Sequence, residues 1–406
     1  MIIKRIRLNN FRNYGRLDVD VGPSVNIVYG DNGKGKTNLI ESIYVASCAT
    51  SHKTSKDKNL VMFGSDGFEI IINAEDDDGT LFEFKNNVVI KGDIPKRYLY
   101  CNNEHMNRIS DYLGICNTVI FAPEDLEIIK GAPAERRKFI NLLISKVSPS
   151  YFNLLGNVNR VISQKNEILK DARRNPEGIE TKLDYWDFSL SDLSAELIIY
   201  RYRFIDILND VASQYHLSIS GGTERLELKY MTISGCIELI EAFLAEHGIT
   251  DEYKNRGLNR GDFEALKAIL SSHILNKFKS VRKYDIEKGI SSIGIKKDDI
   301  DICLNERSTR VYSSQGQQRS AALSLKLAEL EILKRFVCST PILLLDDVFS
   351  ELDVQRRVSL ISAIKGTQIF ITCTDRNYIE SEIGTLIDEN TDVRYLHVTG
   401  DGNIEQ

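Results

Sequence analysis

Residues 25–37 read VNIVYGDNGKGKT. A short apolar run suited to a strand buried on both faces ends in glycines, lysines and a threonine. The residues that follow, NLIESIYVASCA, have the composition of a helix. A strand, a glycine-rich loop and a helix in immediate succession demand an α/β layer with the loop at the carboxyl end of the sheet. Gly30-Asp31-Asn32-Gly33-Lys34-Gly35-Lys36-Thr37 fits the spacing G-x-x-x-x-G-K-[ST]. The glycines let successive backbone N–H groups turn toward phosphate oxygens, and the helix N-terminus adds its dipole. Gly30 through Asn38 are therefore the candidate nucleotide contacts. Lys36 would neutralise the β- and γ-phosphates of ATP, and Thr37 would ligate Mg²⁺.

A second run, Pro341-Ile342-Leu343-Leu344-Leu345-Asp346-Asp347, reads as a buried parallel strand that ends in two carboxylates. Adjacent carboxylates repel unless a cation or a proton lies between them. Asp346 is expected to hold the Mg²⁺ and Asp347 to accept a proton from an attacking water. A third phosphate-seeking element lies upstream, where YSSQGQQRSAALSLKLAE opens a helix. Its start offers a hydroxyl, free backbone N–H groups and a positive dipole end. The phosphate loop already surrounds its own phosphates, so this start is expected to act on the nucleotide of a second copy of the chain. Ser314, Gly316 and Gln317 are its candidate contacts, with Asp347, Lys36 and Ser314 as the catalytic set.

The rest of the chain divides by texture. Residues 1–133 alternate as strands around the phosphate loop, residues 134–275 turn helical, and residues 276–406 return to α/β. In the helical stretch Phe152, Leu155, Val158, Ile162 and Leu169 mark one face. Leu183, Trp186, Leu190, Leu193, Leu197, Tyr200, Phe204, Ile207 and Val211 follow at heptad spacing. With ARRNPEG as the turn, they suggest an antiparallel helical hairpin. The charged run EHGITDEYKNRGLNRGDFEA reads as a surface insertion. Composition fits a soluble protein: of 406 residues, 42% are hydrophobic and 27% charged. The N-terminus lacks a signal peptide's apolar stretch, and no run approaches membrane-helix length, so a cytoplasmic protein without a membrane partner is expected. Seven scattered cysteines without a Cys-x-x-Cys pair argue against a disulfide framework or a zinc site. The six histidines show no metal spacing.

Ser313-Ser314-Gln315-Gly316-Gln317 resembles the signature motif of ABC-type ATPases, and Ser350-Glu351-Leu352-Asp353 resembles their D-loop. Asn10-Phe11-Arg12-Asn13-Tyr14, GDNGKGKTNLIE, SHKT at 51–54, FAPEDL at 121–126, KGAPAERRKF at 130–139 and LLLDDVFSELD extend the match. Together they make the chain similar to the RecF family of bacterial recombination mediators. The resemblance implies an ABC-type, SMC-like P-loop ATPase head with an inserted helical arm. It implies an ATP-dependent homodimer, weak ATP hydrolysis that resets it, and binding to double-stranded DNA and single/double-strand junctions. It further implies work with RecO and RecR in loading RecA, and an approach of Arg12 and Tyr14 to the nucleotide base or ribose. Three departures stand out. Gly294-Ile295-Lys296-Lys297-Asp298-Asp299 replaces the family's Gly-Pro-His-Arg-Asp-Asp, Thr374 stands where many ABC proteins have a histidine, and no sensor glutamine is evident near Phe121.

Net charge is −6, yet the stretch from Lys130 to Arg174 is strongly basic. Arg136, Arg137, Lys138, Lys165, Arg173 and Arg174 are the candidates for tracking a DNA backbone without base readout, with Lys296 and Lys297 secondary. Arg136 and Arg137 have a structural alternative. The same ATP chemistry would also serve a phage-defence ATPase or a transporter subunit. The long helical insertion argues against the transporter.

Overall fold

A computed structural model describes residues 1–92, 94–172, 178–337, 339–349, 356–357, 360–361, 366–375, 391–400 and 402–405. Arg173, Arg174, Cys338 and the D-loop-like stretch 350–353 lie outside the described residues. Two compact units emerge. The first takes Met1–Leu126, Gln214–Thr223 and Arg319–Gln406, and the second Glu127–Ser213 and Glu224–Gln318.

The chain begins with β1 (Ile2–Phe11), β2 (Tyr14–Asp20), β3 (Val25–Tyr29) and α1 (Lys36–Cys48). It continues through β4 (Gly67–Glu75), β5 (Leu81–Lys91), β6 (Ile94–Cys101), β7 (Glu104–His105), α2 (Ile109–Tyr112), β8 (Thr118–Phe121) and α3 (Leu126–Lys130). Next come α4 (Pro133–Val147), α5 (Pro149–Ala172), α6 (Ile179–Ile219), β9 (Leu226–Met231), α7 (Cys236–His247), α8 (Thr250–Arg256) and α9 (Arg260–Lys288). The described elements close with β10 (Asp299–Leu304), β11 (Arg307–Ser308), α10 (Thr309–Tyr312), α11 (Gln315–Phe336), β12 (Ile342–Leu345), β13 (Ile369–Cys373), β14 (Val393–Gly400) and β15 (Asn403–Glu405).

The first unit holds two six-stranded sheets. One is antiparallel, in the order β2-β1-β4-β5-β6-β7. Its strands face the core on one side only. In β4, buried Phe68, Ile70, Ile72 and Ala74 alternate with half-buried residues. β6 has no counterpart in the sequence reading: its exposed Ile94-Pro95-Lys96 start hides a strand that pairing with β5 defines. The other sheet runs β15-β14-β3-β13-β12-β8, parallel except for β15. Here β8, β12 and β13 are buried at every position. Each leucine of β12 contributes about 1.5–3 kcal/mol by leaving water. Helix α1 touches β1, β4 and β5 of the first sheet and β8 and β13 of the second, so it is buried all round from Leu39 to Cys48. Its polar side chains must find partners there: Ser42 donates to the Leu39 carbonyl, and Ser47 to that of Tyr44.

The second unit combines a three-stranded antiparallel sheet, β11-β10-β9, with the long helices. α5 and α6 meet through Leu169, Ala172, Ile179 and Leu183. A third helix, α9, joins them: Ile286 packs on that cluster, and Arg282 pairs with Asp184 at 2.7 Å and Asp187 at 2.8 Å. α6 is buried beyond its heptad seam, at Ala195, Ile198, Ile199, Ile205, Leu208 and Ala212, so it serves as a core helix. The run expected to be a surface insertion is docked as well. It forms α8 and opens α9, and Tyr253, 2% exposed, donates its hydroxyl to the Ile199 carbonyl at 2.7 Å. Lys254 pairs with Asp206 at 3.1 Å and Asp210 at 2.7 Å.

Lys165, 2% exposed, pairs with Asp187 at 2.8 Å and lies 4.2 Å from the ring centre of Phe278. Removing one partner of such a pair leaves an uncompensated buried charge. Asp187→Ala is expected to destabilise the chain by about 3–5 kcal/mol, whereas Lys165→Met with Asp187→Leu recovers most of that loss. Urea titrations followed by circular dichroism check this; a single mutant as stable as the double would contradict it.

Candidate functional site

The glycine-rich loop leaves β3 at Gly30 and enters α1 at Lys36. Gly30, Gly33 and Gly35 have φ of +142°, +79° and +115°, conformations that glycine adopts freely. At Gly35 a Cβ would come within 2.5 Å of Asn13 Nδ2, and at Gly30 within 2.5 Å of the Val398 carbonyl oxygen. The loop is thus braced by the turn between β1 and β2 on one side and by β14 on the other. Asn13 Nδ2 donates to the Lys34 carbonyl at 2.9 Å, Asn38 to Asn13 Oδ1 at 2.8 Å, and the Tyr14 hydroxyl to the Gly35 carbonyl at 3.0 Å. Lys36 Nζ lies along the inside of the curl and donates to the carbonyls of Gly30 at 2.7 Å and Asp31 at 2.9 Å. Partial burial lowers the affinity of its amine for the proton, while the charges of Asp347, Asp31 and Asp346 oppose that loss.

Arg12 and Tyr14, expected to approach the nucleotide base or ribose, both bond to neighbouring parts of the chain. Tyr14 is 0% exposed, beneath the loop. Arg12 grips Glu41 with two hydrogen bonds of 2.8 Å and the Asn59 carbonyl with a third. Glu41 sits one turn into α1 from Thr37 and is fully buried. Burial opposes its ionisation, but the hydrogen bonds from Arg12 and Ser51 prevail and hold its carboxyl below the ordinary range. The Asn10–Tyr14 motif therefore fixes the start of α1 from below.

At the end of β12, Asp346 Oδ1 accepts the Thr37 hydroxyl at 2.8 Å and the Thr372 hydroxyl at 3.0 Å. Asp346 Oδ2 lies 3.6 Å from Lys53 Nζ, which also approaches Glu124 at 3.4 Å. Thr37 and Asp346 together present hard oxygens of the kind Mg²⁺ takes. The pair suits that ion, and the loop suits a triphosphate. Asp347 follows with φ of +55° and an exposed side chain, its N–H donating to Thr372 Oγ1 at 2.8 Å.

Lys53 and Thr372 were missed as site residues. Thr372 could have been found as a hydroxyl inside the apolar strand IFITC, where an unpartnered polar group is costly. Lys53 gave no signal beyond its place in SHKT. Near Phe121, the stretch without a sensor glutamine, it is Glu124 that faces Lys53. Thr374 follows β13, but it is Thr372 whose hydroxyl reaches Asp346.

In the second unit Ser314 caps α11. The Gln317 N–H donates to Ser314 Oγ at 3.2 Å, and the Ser314 N–H to Gln317 Oε1 at 2.8 Å, a reciprocal capping box. Gln317 Nε2 is held by Glu224 at 2.7 Å. Ser314 and Gln315 are exposed and Gly316 is half-buried, so the helix start is presented to solvent.

The basic candidates separate. Arg136, 4% exposed, is bidentate to Asp299 at 2.6 and 2.9 Å. Lys165 is engaged with Asp187. Neither offers its charge to a DNA backbone, and both act within the unit. Arg137 is half-buried and donates to the Asp298 carbonyl at 2.7 Å, while Lys138 is exposed. No described helix is long and apolar enough to cross a membrane.

Residues 2–392 match the family model described as the RecF/RecN/SMC N terminal domain. The chain is 35% identical over 382 residues to the DNA replication and repair protein RecF of Acetivibrio thermocellus, covering 94% of this chain and 95% of that one. It is 34% identical over 412 residues to that of Ruminiclostridium cellulolyticum, covering 100% and 99%. The solved structure of the recombination mediator protein RecF-ATP in the RecFOR pathway superposes with a TM-score of 0.82 at 29% identity, over 100% of this chain and 97% of that one. An SMC head bound to the C-winged helix domain of ScpA, at 14% identity and a TM-score of 0.52, shares the fold. The architecture is that of an ABC-type, SMC-like ATPase head.

His52 tests the site's electrostatics. Burial beside Tyr44 pushes its imidazole down to about 4 from an ordinary 6.5. The unfolded chain therefore binds a proton that the folded chain refuses between those two values. This contribution to stability is complete above pH 6.5 and is lost as pH falls toward 4. His52→Gln should flatten the wild-type loss between pH 7 and pH 5 by about 2 kcal/mol in denaturant titrations; parallel pH profiles would contradict the assignment. Gly35→Ala is expected to weaken nucleotide binding at least about 10-fold, since the strained φ and the clash with Asn13 both displace the loop. Fluorescent-nucleotide titration reads this, and unchanged affinity would show that the brace is dispensable.

Proposed function

This chain belongs to the RecF family of DNA replication and repair proteins, and we propose that it is an ATP-driven dimerisation switch on double-stranded DNA. ATP binds in the glycine-rich loop with Mg²⁺, and two chains close around it. The closed dimer holds duplex DNA or single/double-strand junctions and assists RecO and RecR in loading RecA at gaps. Slow hydrolysis reopens it. The observation that carries this reading is the Thr37 hydroxyl against the Asp346 carboxylate at 2.8 Å, at the mouth of the loop.

In this reading the N–H groups from Gly33 to Thr37 hold phosphate oxygens, and Lys36 neutralises them from inside the curl. Thr37 and Asp346 would hold the metal, which would screen phosphate charge. Asp347 is exposed at the end of the strand, where it would accept a proton from an attacking water. Lys53 balances Asp346 and Glu124 and so keeps adjacent carboxylates from repelling one another. From the partner, the N-terminus of α11 would bring the Ser314 hydroxyl, Gly316, Gln317 and its dipole to the γ-phosphate. The capping box and Glu224 preorganise that end. Relatives named for DNA replication and repair, matched over nearly the whole length, favour this reading over a transporter or defence ATPase.

Light scattering of the full chain should show dimers with ATP and Mg²⁺ and monomers without. Ser314→Arg is expected to bind nucleotide with wild-type affinity and remain monomeric, and a mutant that dimerises normally would contradict a shared site. Asp347→Asn should slow hydrolysis by about 10²–10⁴-fold while dimerisation persists; undiminished turnover would remove Asp347 from the mechanism.

A further inference from the structure

The run Gly294-Ile295-Lys296-Lys297-Asp298-Asp299 forms one tight turn in the second unit. Gly294 takes φ of +133°, and Ile295–Lys297 make a single 3-10 turn closed by the Lys297 N–H to the Gly294 carbonyl at 2.9 Å. Ile295 and Asp298, at its two ends, are 3% and 2% exposed. Lys296 and Lys297 between them are exposed.

The anchoring beneath this turn is extensive. The Asp298 carboxylate accepts hydrogen bonds from Arg201 at 2.6 Å, the Tyr230 hydroxyl at 2.5 Å and Thr232 at 2.8 Å. Arg201 is itself buried and donates also to the Ile295 carbonyl at 3.2 Å, the Tyr151 hydroxyl at 3.1 Å and Asn141 at 2.9 Å. Arg137 donates to the Asp298 carbonyl from outside. Both carboxylates of the run face inward, Asp298 to Arg201 and Asp299 to Arg136. Lys296 and Lys297 make no ion pair among the described residues. The buried arginine and aspartate, each costing several kcal/mol to desolvate, hold the turn in one conformation. Here that network fixes two uncompensated ammonium groups with a guanidinium at their base.

We propose that the Lys296–Lys297 turn is a rigid contact for the phosphate backbone of double-stranded DNA, with Asp298 and Arg201 as its positioning residues. The assignment rests on the repair reading above. Two ammonium groups on a fixed backbone suit point-charge recognition of successive phosphates. An acidic protein partner would call for a desolvated apolar or aromatic anchor in the contact, and the turn's own apolar residue, Ile295, points into the core.

The test is fluorescence anisotropy of a labelled duplex against the full chain with ATP and Mg²⁺, across a salt series. Lys296→Ala with Lys297→Ala is expected to weaken binding about 10-fold and to reduce the slope of log affinity against log salt by about 2, since each phosphate contact contributes about 0.9. Lys296→Arg with Lys297→Arg should keep both. Lys296→Gln with Lys297→Gln serves as a second neutral variant, with melting temperature and ATP-dependent dimerisation read in parallel to confirm folding. Unchanged affinity and slope in folded neutral variants, with wild type binding duplex, would overturn the turn's role and leave the repair reading standing. Wild type that dimerises with ATP but binds no duplex would overturn both. Loss of poly-glutamate binding with duplex binding intact would reassign the turn to an acidic protein and overturn the proposal.

Discussion

One hydrogen bond organises the nucleotide end of the first unit. The Thr37 hydroxyl meets Asp346 at 2.8 Å, joining residues 309 positions apart. It ties the start of α1 to the carboxyl end of β12, so it exists only when the parallel sheet has assembled with β13 between β3 and β12. The fold thereby makes its hard-oxygen pair by completing its topology. Thr372 on β13 donates to the same carboxylate oxygen, and Lys53 approaches the other. A carboxylate that is 3% exposed is thus compensated on every side the described residues cover, which is the condition for keeping it buried.

The same rule governs the second unit, with a different outcome. Lys165–Asp187–Arg282 and Arg136–Asp299 turn cationic charge inward, where it joins helices or braces a strand. Arg201–Asp298 also lies inward but leaves its neighbours Lys296 and Lys297 outside. A count of basic residues along the sequence cannot separate these cases. Burial and partner geometry do.

Legibility in the sequence followed the range of the interactions. The phosphate loop, the acidic strand end and the capped start of α11 are each written in a few consecutive residues, because local backbone needs fix their composition. The parallel strands were legible as continuous apolar runs. Lys165 and Arg136 misled, since their acidic partners Asp187 and Asp299 come from distant parts of the chain. The grip of Arg12 on Glu41 is another such contact, and no local pattern announces it. α8 reads as a charged surface stretch, and the burial of Tyr253 and the pairing of Lys254 against α6 show it docked. Lys53 and Thr372 matter through Asp346, a neighbour that only the assembled sheet supplies.

A reaction centre divided between two chains, as proposed above, makes a demand that a self-sufficient one does not. The phosphate loop and carboxylates of the first unit would stay silent until Ser314 of another copy arrives. Mixing Lys36→Ala chains with Ser314→Arg chains and following phosphate release tests this most directly. Each variant alone should be inactive, while the mixture should regain up to about half of wild-type turnover, because each mixed dimer pairs one sound loop with one sound signature start. A Ser314→Arg chain as active alone as wild type, or mixed dimers no more active than their parents, would contradict the shared centre.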